Sequence, residues 1–113
     1  METTELWSYR DATWRGGALI GLEVEATDGT IGKVADASDD TARSWLVVDT
    51  GSWIHGKKVL LPAGVVQQID LDEEKVYVDR TKDEIKSAPE YDDDRRDDAG
   101  FRNEVSGYYG GRG

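Results

Sequence analysis

The chain has 113 residues, no cysteine and a formal net charge of -10, with a sequence pI near 4.4. That length holds one domain of ordinary size, and the missing thiols exclude a disulfide scaffold, thiolate metal sites and cysteine nucleophiles. The negative charge repels nucleic-acid backbones and anionic lipid surfaces, so no direct nucleic-acid contact is expected and a basic protein is the partner it favours.

Residues 1–17 read as an N-terminal arm: Trp7, Tyr9 and Trp14 stand among polar residues ahead of Gly16-Gly17. The arm lacks the basic start and apolar stretch of a secretory signal. No run of 18 apolar residues occurs in the sequence, so no membrane span is expected and a cytoplasmic location is the default.

Residues 18–88 hold nearly all the aliphatic side chains and form the expected domain. Glu23-Val24-Glu25-Ala26 alternates as a half-buried strand. Asp28-Gly29 then offers a hairpin turn that tolerates positive φ, and Ile31 to Ala37 resumes as a second strand. Trp45-Leu46-Val47-Val48-Asp49 is apolar on both faces and reads as a central strand. Lys57 to Leu61 is a fourth strand, ended by Pro62, which has no N–H to give a ladder. Val65 to Asp70 and Lys75 to Asp79 complete six strands, with turn residues Asp72-Glu73-Glu74 between the last two. The connections are too short for crossover helices, so the expected fold is all-β: a small six-stranded antiparallel β-barrel closed on itself. Thr81, with Glu84 three residues on, predicts a capping box and a short helix that stops before Pro89.

Residues 89–113 carry 7 acids, 4 arginines and 5 glycines, with Val105 the one aliphatic residue larger than alanine. So little apolar material does not offset ordering entropy, and the segment reads as a disordered, acidic, Gly-rich tail. The charge divides as -1, -6 and -3 over the arm, domain and tail, which leaves the domain the most acidic part.

The ordered set of motifs resembles the PRC-barrel family. Leu19 to Val24 and Asp28-Gly29-Thr30-Ile31-Gly32-Lys33-Val34 resemble its opening strand and hairpin. Leu46-Val47-Val48, Val59-Leu60-Leu61-Pro62 and Val76-Tyr77-Val78 fall where its later strands lie, and the match runs over residues 17 to 91. The stretch from Thr81 to Tyr91 looks like the tail of members similar to the photosynthetic reaction-centre H subunit. The resemblance implies a six-stranded barrel that is not a catalyst. In the H subunit it supports quinone-linked electron and proton transfer; in the ribosome-maturation factor RimM it docks on a basic ribosomal protein. What these share is docking on another macromolecule.

Catalytic chemistry finds little footing. Nucleophilic catalysis needs a base beside the nucleophile, and His55 is the sole histidine, in a glycine-flanked loop. The acid clusters Asp36/Asp39/Asp40, Asp70/Asp72/Glu73/Glu74 and Asp92-Asp93-Asp94 lack the calcium-loop spacing, and a barrel this small is filled by its own side chains. No enzyme, cofactor or metal site is expected. The candidate interaction residues are aromatic and apolar: Trp53, Ile54 and His55 in the loop before Lys57-Lys58, and Trp7 and Trp14 of the arm, which would cover the barrel or a second protomer. A docking adaptor is the leading reading, with a possible homo-oligomer. An accessory to RNA–protein (ribosome) assembly, bound to a basic ribosomal protein, is the alternative.

Overall fold

The computed structural model describes residues 6, 7, 9, 14, 16–38, 44–51, 58–89, 91 and 98–110. A 3-10 turn at Gly16–Leu19 leads into six strands: β1 Glu23–Ala26, β2 Gly29–Ser38, β3 Trp45–Asp49, β4 Lys58–Pro62, β5 Val66–Asp70 and β6 Lys75–Val78. Two helices come after them, α1 Lys82–Lys86 and α2 Ala99–Gly110. All six strands and α1 lie where the alternation and turn signals place them, within one or two residues.

The strands form one sheet in the order β4-β3-β2-β1-β6-β5. Two features differ from the antiparallel closed barrel expected. β1 and β6 pair in parallel, with Glu23 opposite Lys75 and Val24 opposite Val76, so the sheet is mixed. The sheet is also not closed, because β4 and β5 are its two edges. It is nonetheless strongly curled. A flat sheet of six strands would set its edges about 24 Å apart. Here those edges are joined by a single 3-10 turn, Ala63–Val65, and the four residue steps from Pro62 to Val66 span at most about 14 Å. Register shifts between Val24 and Glu25, Val34 and Asp36, and Val66 and Gln68 supply bends for that curl.

Gly32 shows how tightly the sheet is drawn. A Cβ at this position would sit 2.1 Å from the Asp49 carbonyl oxygen of the neighbouring strand. Only glycine lets the β2 backbone approach so closely, which is the physical content of the second glycine in Asp28-Gly29-Thr30-Ile31-Gly32. The hairpin is tied to the start of α1: Asp28 Oδ1 accepts the Lys82 backbone N–H at 2.9 Å. The adjacent capping box is present as expected, with Thr81 Oγ1 accepting from Glu84 N at 3.1 Å and Glu84 Oε1 accepting from Thr81 N at 2.9 Å.

The interior holds one apolar cluster that includes Val24, Ile31, Val34, Leu46, Val48, Leu61, Val66 and Val76. β3 is buried on both faces, as its unbroken apolar run demands, although it lies next to the edge rather than at the centre. β4 is an edge strand and is also buried over Val59–Pro62, its apolar residues joining the common core, and α2 lies against it.

That helix is the largest departure from the disorder expected over 89–113. α2 sends Phe101, Val105 and Tyr109 into the common core, each buried to 3% exposure or less. The three stand four residues apart, so they share one helix face. Asp98 caps the start: its Oδ1 accepts from Gly100 N at 2.8 Å and its carbonyl from Arg102 N at 3.0 Å. Glycines at 100, 107 and 110, with Asn103 and Ser106, make α2 a weak helix on propensity alone. Packing holds it, not propensity.

Candidate functional site

The interior formed by the described residues is mainly aliphatic, with Trp45, Tyr91, Phe101 and Tyr109 also buried in it. Among the described residues no three histidine or acidic side chains converge into a group able to hold a metal ion. The candidate surface is therefore the outside of the barrel, where three regions stand out.

The first is the β5–β6 turn, Asp70-Leu71-Asp72-Glu73-Glu74. Asp70 Oδ1 accepts from Glu73 N at 3.0 Å, and Glu74 takes a positive φ of 58°, which fixes a tight turn. Glu74 C=O accepts from Glu23 N at 3.0 Å and fastens the turn to the start of β1. Leu71 stands 61% exposed at its tip, between carboxylates that point to solvent. Ile20, 50% exposed, lies in the turn that enters β1 at the same end of the parallel pair. These are the two exposed large apolar residues among those described. By contrast, Glu25 is already engaged, accepting from Thr30 Oγ1 at 2.6 Å and pairing with Lys75 at 3.8 Å.

The second region is an open groove of about 410 Å³ between α1 and α2, lined by Arg80, Glu84, Gly107, Tyr108 and Tyr109. Arg80 ties it together. Its guanidinium bonds the Asp79 carboxylate, donates from Nη2 to Tyr109 C=O at 2.9 Å, and lies 5.6 Å from the Tyr109 ring centroid. The Tyr108 hydroxyl donates to Glu84 C=O at 2.6 Å. The Tyr109 hydroxyl is buried with no hydrogen-bond partner among the described residues. Burial pushes that phenol well above its ordinary range, Tyr108 and Glu84 add to the rise, and the Arg80 charge opposes it.

The third region is the arm. Trp7 is half-buried against the core, and its indole N–H donates to Ser106 Oγ of α2 at 2.8 Å. Its carbonyl accepts from Ser44 N at 2.7 Å, just ahead of β3, and Leu6 C=O accepts from Gly64 N at 2.6 Å. Trp14 is also half-buried and meets Tyr9 edge-to-face at 6.5 Å. Both arm tryptophans thus lie on the barrel of their own chain. Trp53, Ile54 and His55 fall outside the described residues, as do Asp39, Asp40 and Asp92 to Asp97. Sequence reasoning missed Leu71 as an exposed apolar tip and missed the α1–α2 groove altogether. The four-residue spacing of Phe101, Val105 and Tyr109 was the signal that marks the helix forming that groove.

An open, curled six-strand sheet with a filled interior and a Gly32-dependent hairpin defines a small β-barrel domain. The family model for the RimM PRC barrel domain matches residues 17–83, and the chain belongs to this PRC-barrel family. Among solved structures the chain is similar to a Pseudomonas aeruginosa protein described as a putative 16S ribosomal RNA processing protein, RimM. The two are 23% identical with a TM-score of 0.51, and the match covers 66% of this chain and 48% of that one. The chain thus spans about half the length of that protein, and the likeness is one of fold. A search of curated proteins finds no matching relative. No catalytic family appears among these likenesses.

Proposed function

We propose that this protein is a non-enzymatic docking module whose barrel binds the basic surface of a protein partner, with a cytoplasmic setting. The observation that carries the reading is the β5–β6 turn: an exposed leucine in a hydrogen-bonded turn among carboxylates, on a barrel with an apolar interior. An apolar anchor ringed by one sign of charge is the anatomy of a specific, electrostatically steered contact. The formal charge of -10 extends the attraction beyond the turn. Trp53, Ile54 and His55, which lie outside the described residues, are proposed as a second contact element.

Membership of the RimM PRC-barrel family favours a particular version, in which the partner is a basic ribosomal protein and the chain assists RNA–protein assembly. The test is a binding titration of the full chain against purified basic ribosomal proteins at low and high salt. Binding is expected at low salt and should fade as ionic strength shortens the screening length to about 3 Å at 1 M. Reversing Asp72, Glu73 and Glu74 to lysine should weaken it by roughly tenfold or more. Affinity unchanged by both salt and charge reversal would remove the acidic turn from the interface. Absence from ribosomal-subunit fractions on a low-salt sucrose gradient would remove the ribosomal version and leave the docking reading to other basic partners.

A further inference from the structure

Two segments lie outside the family match over residues 17–83: the arm before it and α2 after it. The fold brings them together across a sequence separation of 99, where the Trp7 indole N–H donates to Ser106 Oγ at 2.8 Å. Backbone bonds fix the other side of the arm. Leu6 C=O accepts from Gly64 N at 2.6 Å, and Trp7 C=O accepts from Ser44 N at 2.7 Å. α2 is held by its own side chains, with Phe101, Val105 and Tyr109 in the core and the Tyr108 hydroxyl on Glu84 C=O. Neither segment has much to hold its shape by itself. Leu6 and Trp7 form a turn, and α2 carries glycine at 100, 107 and 110. Both rest on one core: Leu6, Trp7 and Tyr108 pack, partly buried, against the cluster that contains Phe101, Val105 and Tyr109.

We propose that the arm and α2 form a single clasp, which opens and closes as one unit with the Trp7–Ser106 bond as its latch. Each residue fixed in place loses conformational entropy, so a short segment stays ordered only where ordered neighbours receive it. α2 gives the Trp7 indole its acceptor; with α2 away, the arm keeps only its backbone bonds to Ser44 and Gly64 and its share of the core. With the arm away, α2 loses the indole that packs against the core beside Ser106. The clasp is a two-state element, and coupling through it runs in both directions. Whatever loosens Leu6 or Trp7 is felt at α2, and whatever loosens α2 is felt at Ser44 and Gly64. On opening, Trp7, Phe101 and Tyr109 leave the core together, so the open form presents three aromatic side chains that the closed form covers wholly or in part. None of this depends on the acidic turn or on the proposed basic partner.

Amide exchange of the full chain, followed residue by residue under native conditions, reads the two ends separately. The Ser44 and Gly64 amides report the arm, and the amides of α2 report the helix. In the wild type both sets are expected to share one opening, with the same denaturant dependence, and to exchange faster than β3. Phe101→Ala is the main perturbation, because Phe101 takes no part in the arm's bonds to Ser106, Ser44 and Gly64. It is expected to speed α2 by about tenfold or more, and Ser44 and Gly64 by the same factor. Leu6→Ala, on the arm, should likewise speed both sets. Ser106→Ala tests the latch, since alanine favours a helix more than serine and propensity alone would slow exchange in α2. Loss of the indole's acceptor should instead speed it roughly threefold or more, while Ser106→Thr, which keeps the hydroxyl, stays near wild type. Three results would overturn the proposal. If Phe101→Ala or Leu6→Ala moves only the amides of its own segment, the two ends open separately. If Ser106→Ala slows α2 or leaves it unchanged, the indole bond is no latch. If arm, α2 and β3 amides all share one opening, there is no clasp distinct from the barrel.

Discussion

The barrel strands and the segments laid over them are held by opposite means. From Glu23 to Val78 nearly every element is specified twice, by local alternation and by long-range pairing, and most of its buried residues are β-branched or leucine. The arm and α2 are specified once, by where a few aromatic side chains come to rest: Trp7, Trp14, Phe101 and Tyr109. Their backbones gain little from propensity, and their polar ties reach to one another, to Arg80 and Glu84, and to the backbone at Ser44 and Gly64. The family match covers residues 17–83, and α2, which lies after it, packs into the same core.

The sharpest probe of the barrel side is Gly32→Ala. Its Cβ would meet backbone atoms, Asp49 O at 2.1 Å and Asp49 C at 2.9 Å, which have no rotamer to turn aside. Parting β2 from β3 should cost about 3 kcal/mol or more in urea denaturation, a large share of the stability of a domain this size. An effect below about 1 kcal/mol would mean the two strands are less tightly joined than they stand.

The next probe compares the two regions directly. Leu61→Ala in β4 and Phe101→Ala in α2 both truncate fully buried side chains. Leu61→Ala should cost about 3 kcal/mol of global stability. Phenylalanine normally costs as much or more, but a helix that detaches caps the loss at its own detachment energy, so Phe101→Ala should cost less than about 2 kcal/mol. Equal or larger destabilisation by Phe101→Ala would erase the distinction between barrel and cover.

The smallest effect is one of pH. The unfolded Tyr109 phenol ionises at its ordinary value of 10.0, whereas burial holds the folded one protonated to higher pH. Above pH 10 the unfolded state therefore binds fewer protons, and stability falls by about 1.4 kcal/mol per pH unit for this one group. Below pH 10 the contribution is fully present. Tyr109→Phe should flatten that slope in denaturation curves from pH 9 to 11, and near pH 7 it should be neutral or slightly stabilising because it removes an unpartnered buried hydroxyl. A variant whose alkaline slope matches wild type would place the phenol in contact with water.

Much of the strand layout was legible in sequence because alternation and turn chemistry are local. Val24 and Ala26 point inward from an alternating run, Asp28-Gly29 turns, and Thr81 with Glu84 starts a helix, each within four residues of its cause. The parallel pairing of β1 with β6 was not legible, since it joins Glu23 to Lys75 and no local signal distinguishes a parallel neighbour from an antiparallel one. Closure fails for a related reason: the turn Ala63–Val65 brings β4 and β5 near without aligning their ladders, and α2 covers β4 instead. The tail was misread because its glycines and acids weigh toward disorder, while its three anchors are one aliphatic and two aromatic residues at helical spacing. Of the candidate interface, the acidic turn was visible as turn residues; Leu71 gained meaning only once its neighbours in space were known.

Native-state hydrogen exchange on the full chain tests the division between barrel and cover most directly. The amides of β3 and β4 should exchange only through global unfolding, while those of α2 exchange through a separate opening of lower free energy. Amides of α2 as slow as those of β4, with the same dependence on denaturant, would show one cooperative unit and contradict the account.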